Sequence, residues 1–264
     1  MIVMRRILIV AAVLASGCDL DMGEEGEDPV GLGESALISM NGMPWDSLSL
    51  NWVGTRALMG SPLVQSANIA ALADTPEGLQ VLHYAVACAL PAGRQIAFKD
   101  SGRQLHTFEG MLGVYPAWPQ SVPRKKDIEC VVGCLAAHLN AVGAVIQISA
   151  RGQACGYTVE PAEKAGFKYE EGGFAGDDEL HMYVCPGEGL VKECGATAGV
   201  TVKDRRCTSG DPLCGNLIVT PPCSQICRGR SGDGGYHGCA WGGVQLDGFT
   251  TAWLGSGSHG CSSD

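Results

Sequence analysis

No apolar run in this 264-residue chain is long enough to cross a bilayer as a helix; the greasiest, Ile7 to Ser16, falls well short of the ~20 residues needed. Several catalytic signatures are missing as well. There is no G-x-S-x-G elbow and no G-x-x-x-x-G-K-[ST] loop, which argues against an α/β-hydrolase serine and a P-loop nucleotide site. The glycine-rich "GRSGDGGYHG" lacks the lysine and the flanking strand and helix of a phosphate cradle, so its glycines read as tight turns. No C-x-x-C knuckle occurs, which removes the usual zinc framework. Basic residues are few and unclustered, 18 against 28 acids, and nucleic acid is excluded as a partner on that ground.

What is present begins with the leader. Arg5 and Arg6 precede "ILIVAAVLAS" and a small-residue exit, the three parts of a secretory signal peptide spanning residues 1–17. The exit "ASGC" resembles the lipobox of bacterial lipoproteins: Ser16 and Gly17 fit it, while Ala15 stands where leucine is commonest. The resemblance implies a diacylglycerol thioether on Cys18. It also implies membrane attachment through that lipid and a place in the bacterial cell envelope, outside the cytoplasm, with the leaflet left open.

Thirteen cysteines make an odd number, and exported proteins rarely keep a spare thiol. Assigning Cys18 to lipid leaves Cys88, Cys130, Cys134, Cys155, Cys185, Cys194, Cys207, Cys214, Cys223, Cys227, Cys239 and Cys261, enough for six disulfides whose pairing spacing does not reveal. Eight of these twelve fall between Cys185 and Cys261, where long apolar periods are scarce. That part is expected to depend on covalent staples.

Residues 18–35 form the anchor and an acidic tether. Seven acids and no base lie between Asp19 and Glu34 among glycines, too little apolar surface to fold. The rest is expected to be α+β: a helix-containing region over 36–156 with a central two-faced helix, then a disulfide- and glycine-rich, short-stranded region over 157–264 packed on it. Thr75 and Pro76 announce one helix, with Leu79, Leu82, Val86, Ala89 and Leu90 on one face. In "KKDIECVVGCLAAHLNAVG" an aliphatic face and a Cys130/Cys134/Ala137 face leave only Glu129, Gly133 and Asn140 as a thin polar strip. Gly143 should end that helix, and "AVIQISARG" follows as a strand. Cys130 and Cys134, four apart on one helix, should take separate partners, with Cys88 and Cys155 nearest in sequence.

The blocks "YAVACALPAG", "FEGMLGVYPAW", "CVVGCLAAHLNAVGAVIQISARG", "YEEGGFAGDDELHMYVC" and "RRCTSGDPLCGNLIVTPPCSQIC" resemble a group of secreted, cysteine-rich lipoproteins of myxobacteria and related bacteria. The likeness covers most of the chain from about Thr75 onward. It implies export and a shared fold, and no activity.

Four kinds of site are weighed. Cys223, Cys227, His237 and Cys239 could ligate zinc, but an oxidising compartment favours disulfides. Cys134 and His138, one turn apart, would suit a nucleophile only if the thiol were free. No metal or other cofactor is therefore expected. Glu109 in "TFEGMLG" and Glu170 or Glu171 in "YEEGGF", with Asp177 and Asp178, are the carboxylates that could serve acid catalysis on a glycan, although acids beside glycines also populate ordinary turns. Asn140, Ser149 and Arg151 could form a polar binding edge; the plainer reading is that Asn140 caps the helix and Arg151 neutralises an acid. Together these favour an exported binding or structural module, of protein or glycan partner unspecified, over a hydrolase acting on a glycan or cell-wall polymer. The two readings part on geometry: hydrolysis needs two carboxylates about 5 to 10 Å apart in one cleft.

Overall fold

A computed structural model describes residues 38–44, 47–48, 51–63, 68–140, 146–187 and 217–255, and this body is α+β. Strands β1 (Ile38–Asn41) and β2 (Met43–Pro44) lead into helices α1 (Trp52–Met59), α2 (Asn68–Ala73) and α3 (Pro76–Ala89). α3 starts as its signals dictate: the Thr75 hydroxyl accepts the Gly78 N–H at 3.0 Å, and Pro76 sits where no amide hydrogen is needed. Leu82, Val86 and Ala89 are buried as expected, whereas Leu79 is only partly covered; Val81, Ala85 and Cys88 bury a second face. A hairpin of β3 (Gln95–Lys99) and β4 (Leu105–Glu109) follows.

Helix α4 (Lys125–His138) is the centre of the molecule. The Asp127 carboxylate accepts the Arg124 backbone N–H at 3.0 Å, closing the first turn. From Cys130 to His138 every residue is buried. The strip of Glu129 and Gly133, which the sequence assigns to the polar side, is instead the line along which the helix backbone rests on the sheet. A Cβ on Gly133 would stand 2.5 Å from the Gly248 carbonyl oxygen and 3.1 Å from that of Phe174. The helix also ends sooner than Gly143: Leu139 turns extended, and Leu139–Asn140 forms β5, which pairs parallel with β2. Asn140 is therefore a strand residue, and the C-cap position belongs to Leu139.

Strand β6 (Ile146–Arg151) leads through a 3-10 turn (Gln153–Cys155) and helix α5 (Pro161–Gly166) to β7 (Phe167–Gly176) and β8 (Met182–Pro186). After the undescribed 188–216 come β9 (Leu217–Val219), α6 (Cys223–Ile226), β10 (Gly229–Arg230), β11 (Tyr236–His237), β12 (Cys239–Trp241), β13 (Val244–Leu246) and β14 (Thr250–Gly255). Six strands make the main sheet in the order β1-β6-β14-β7-β8-β9, antiparallel except for β8 and β9. The boundary between 156 and 157 thus runs through one sheet, with β6 from before it hydrogen-bonded to β14 from after it.

Alternation along the strands divides the interior. Ile148, Phe174, Met182, Val184, Ala252 and Leu254 join the helices in the larger core, while Ala175, Tyr183 and Cys185 pack with Ile226, Tyr236, Leu246 and Phe249 beyond the other face. Among the described residues no helix is long and apolar enough to cross a membrane.

All eight described cysteines are paired: Cys88–Cys134, Cys130–Cys155, Cys185–Cys223 and Cys227–Cys239. Cys130 and Cys134 do take separate partners, Cys155 and Cys88. Cys18, Cys194, Cys207, Cys214 and Cys261 lie outside the described residues, as do residues 1–35, over which a leader and a tether are expected.

Candidate functional site

Strand periodicity puts Ser149 and Arg151 on the sheet face away from α4, and both are buried. A buried guanidinium must spend its donors inside the protein. Arg151 Nη2 donates to the Phe167 carbonyl at 2.7 Å, Nη1 to the Asp233 carbonyl at 3.3 Å, and Nε to the Ser149 hydroxyl at 3.2 Å; Ser149 in turn donates to Glu163 at 2.7 Å. The guanidinium also lies 4.3 Å from the ring centroid of Trp253, a cation–π contact. Burial pulls the Arg151 pKa down to about 10, with Glu163 and then Asp233 opposing the fall. Beside it Arg230 pairs with Glu170, donates to the Tyr236 hydroxyl at 2.6 Å and lies over the Tyr236 ring. Burial pushes the Tyr236 phenol up to about 12, against the Arg230 hydrogen bond. The expected binding residues Ser149 and Arg151 are therefore internal supports. The side chain of Asn140 is not among the described ones.

What they support is an open cavity of about 610 Å³. Its floor is the loop after β6, with Gln153, Tyr157, Thr158 and Val159; its sides are Pro161 and Lys164 of α5 and the tip of the β10–β11 hairpin at Gly232 and Asp233. The walls are tied together. The Gly152 N–H donates to Asp233 Oδ2 at 3.3 Å, and Lys164 Nζ donates to the Gly232 carbonyl at 2.6 Å. A Cβ on Gly235 would come within 2.7 Å of the Gly152 backbone, so the hairpin reaches this loop only through glycines. Tyr157 bonds Thr250 at 3.0 Å, and burial raises its phenol pKa. Cys155 pins the loop to α4 through Cys130.

The chain matches no protein-family model, no curated protein and no solved structure. Its site has to be judged on its own geometry.

The expected carboxylates belong to separate elements. Glu109 is exposed at the end of β4 in the two-stranded hairpin, and Glu171 is buried in β7 of the main sheet. Asp178 is held 3.0 Å from Lys125 Nζ, which keeps its carboxyl below the ordinary range. Asp177 is occupied by a turn, accepting from the backbone of Glu179 and His181 at 3.0 and 2.8 Å and from the Tyr183 hydroxyl at 3.2 Å, with the His181 ring nitrogen at 2.8 Å. Burial first, and Asp177 second, push the Tyr183 phenol up to about 12.

The cysteine sites are closed as well. Cys223 and Cys227 are bonded to Cys185 and Cys239, so the zinc arrangement with His237 has no thiolate among them. Cys134 is bonded to Cys88; His138 Nδ1 lies 3.8 Å from each sulfur and donates to the Cys134 carbonyl at 2.7 Å. The three ligand atoms lie within 4.8 Å of one another, but two of them are sulfurs already bonded together.

Sequence reasoning missed Glu129, a buried carboxyl whose pKa is strongly perturbed. It is buried under the Gly248 backbone, and desolvation raises its pKa to about 7, with Lys125 at 3.8 Å opposing and Asp247, Asp178 and Asp177 reinforcing. It also missed Gln153, Thr158, Lys164 and Asp233. The one available signal was "SGDGG", legible as a turn but not as the lip of a cavity.

Proposed function

We propose that this chain is an exported, lipid-anchored, disulfide-stapled binding module of the bacterial cell envelope, attached through Cys18 and presenting the cavity beside α5. The observation that carries the reading is the complete pairing of the described cysteines, four disulfides from eight sulfurs, which suits an oxidising compartment. The odd total and the "ASGC" exit support lipidation of the remaining odd sulfur. A module is favoured over a hydrolase because Glu109 and Glu171 belong to different sheets and the cavity wall carries one carboxylate, that of Asp233.

Mass spectrometry of the native chain tests this. The expected N-terminal peptide begins at an acylated Cys18, and alkylation without reductant adds nothing to any other cysteine. An unacylated N-terminus, or several alkylated cysteines, overturns the reading. Release of reducing ends from purified peptidoglycan overturns its non-hydrolytic part.

A further inference from the structure

We propose that the cavity beside the Gly232–Asp233 turn binds a neutral oligosaccharide. This rests on the binding-module reading and names its ligand class. The wall carries one ammonium and one carboxylate, and the protein itself engages both: Lys164 holds the Gly232 carbonyl, and Asp233 accepts the Gly152 and Gly235 N–H groups and the Ser231 hydroxyl. Their charges cancel, so the cavity has no surplus of either sign for a phosphate, a carboxylate or an ammonium ligand.

What remains is neutral and two-handed. The Gln153 amide and the Thr158 hydroxyl line the cavity, are exposed, and make no side-chain hydrogen bond to the described residues. Each both donates and accepts, and so does a sugar hydroxyl. Val159 and Pro161 add an apolar patch for the C–H face of a pyranose ring. The volume lies inside the roughly 300–1,000 Å³ range of small-molecule sites. The Cys130–Cys155 bond and the ties from Arg151, Gly152 and Lys164 hold these groups in place before the ligand arrives, which lowers the ordering cost of binding.

The test is calorimetric and NMR titration of the full mature chain with chitotetraose, maltotetraose and, as an anionic control, tetragalacturonate. Saturable binding of at least one neutral tetrasaccharide below ~5 mM is expected, with no comparable binding of tetragalacturonate. Gln153→Ala and Thr158→Ala should each weaken it about five- to tenfold, one hydrogen bond's worth, with unchanged thermal unfolding because neither side chain bonds the protein. Thr158→Trp should abolish it by filling the cavity. Absence of binding by the wild-type chain overturns the proposal, as do equal binding of the anionic sugar and undiminished binding by a folded Thr158→Trp variant. If sugar binding fails while the acylated Cys18 and the paired cysteines stand, the ligand class falls and the module reading survives.

Discussion

Replacing Glu129 with glutamine should stabilise this protein above neutral pH and do nothing in mild acid. Glu129 lies at the start of the central helix, buried against Gly248, with Lys125 no nearer than 3.8 Å. Its pKa rises from an ordinary 4.5 to about 7, chiefly because burial disfavours the charged form. Between those values the folded chain keeps a proton that the unfolded chain releases. Stability therefore falls as pH climbs from about 4.5 to about 7 and levels off beyond. A gap of 2.5 decades at about 1.36 kcal/mol each puts the ceiling near ~3 kcal/mol. Glutamine has the shape of the protonated acid and never charges, so Glu129→Gln should gain up to ~3 kcal/mol at pH 8, roughly 6–12 °C in Tm, and match wild type at pH 4.5. Denaturant unfolding of both chains across pH 4.5–8, disulfides intact, measures the difference, since titrating groups not coupled to Glu129 cancel between them. Parallel curves, or a variant less stable than wild type at pH 8, would refute the claim that a buried carboxylate is the cause.

Three further outcomes follow from the packing. Gly133→Ala should destabilise by about 2–3 kcal/mol in thermal unfolding even though alanine favours helix by ~1 kcal/mol, because the new methyl meets carbonyl oxygens of Gly248 and Phe174 that cannot yield. Arg151→Met should cost about 3–5 kcal/mol in denaturant unfolding, because it removes the donors to the Ser149 hydroxyl and to the Phe167 and Asp233 carbonyls from a buried site. Removing Cys88–Cys134 as a double alanine should cost about 4 kcal/mol in the same assay and removing Cys227–Cys239 about 3 kcal/mol, because they close loops of 46 and 12 residues.

Helices were legible wherever local rules decide them. Thr75 and Pro76 mark a start that no tertiary contact has to impose, and the aliphatic period of α4 survives as the face packed in the larger core. The separate partners of Cys130 and Cys134 follow from side-chain direction on one helix. Strand β7 was not legible. "FKYEEGGFAG" holds three charged residues and three glycines, which local propensity reads as a turn, yet it is the longest described strand of the main sheet. A Cβ on Gly176 would lie 2.3 Å from Val132 Cβ, so a residue that weakens an isolated strand here permits a close helix–sheet contact. The polar strip on α4 misled for the same reason: Gly133 is small because backbone touches it, and Glu129 is buried although its side chain is acidic. The cavity was hidden for another reason. Its walls come from residues 153–164 and 232–233, which only the pairing of β6 with β14 and the folded β10–β11 hairpin bring together.

The disulfides also sharpen the question of Cys18. Because the eight described cysteines close on one another, none is left for Cys18, Cys194, Cys207, Cys214 or Cys261. Five sulfurs cannot pair out, and Cys18 is the one whose setting, "ASGC" after an apolar run, resembles a lipidation site. Parity then gives a direct experiment. A chain carrying Cys18→Ser, exported on a cleavable leader, keeps four of the five and should show no alkylatable thiol. Cys261→Ser in the chain that keeps Cys18 should expose a single new one, at the former partner. If Cys18→Ser instead liberates a thiol, Cys18 was half of a disulfide, some other cysteine is the odd one, and the lipid anchor goes with it.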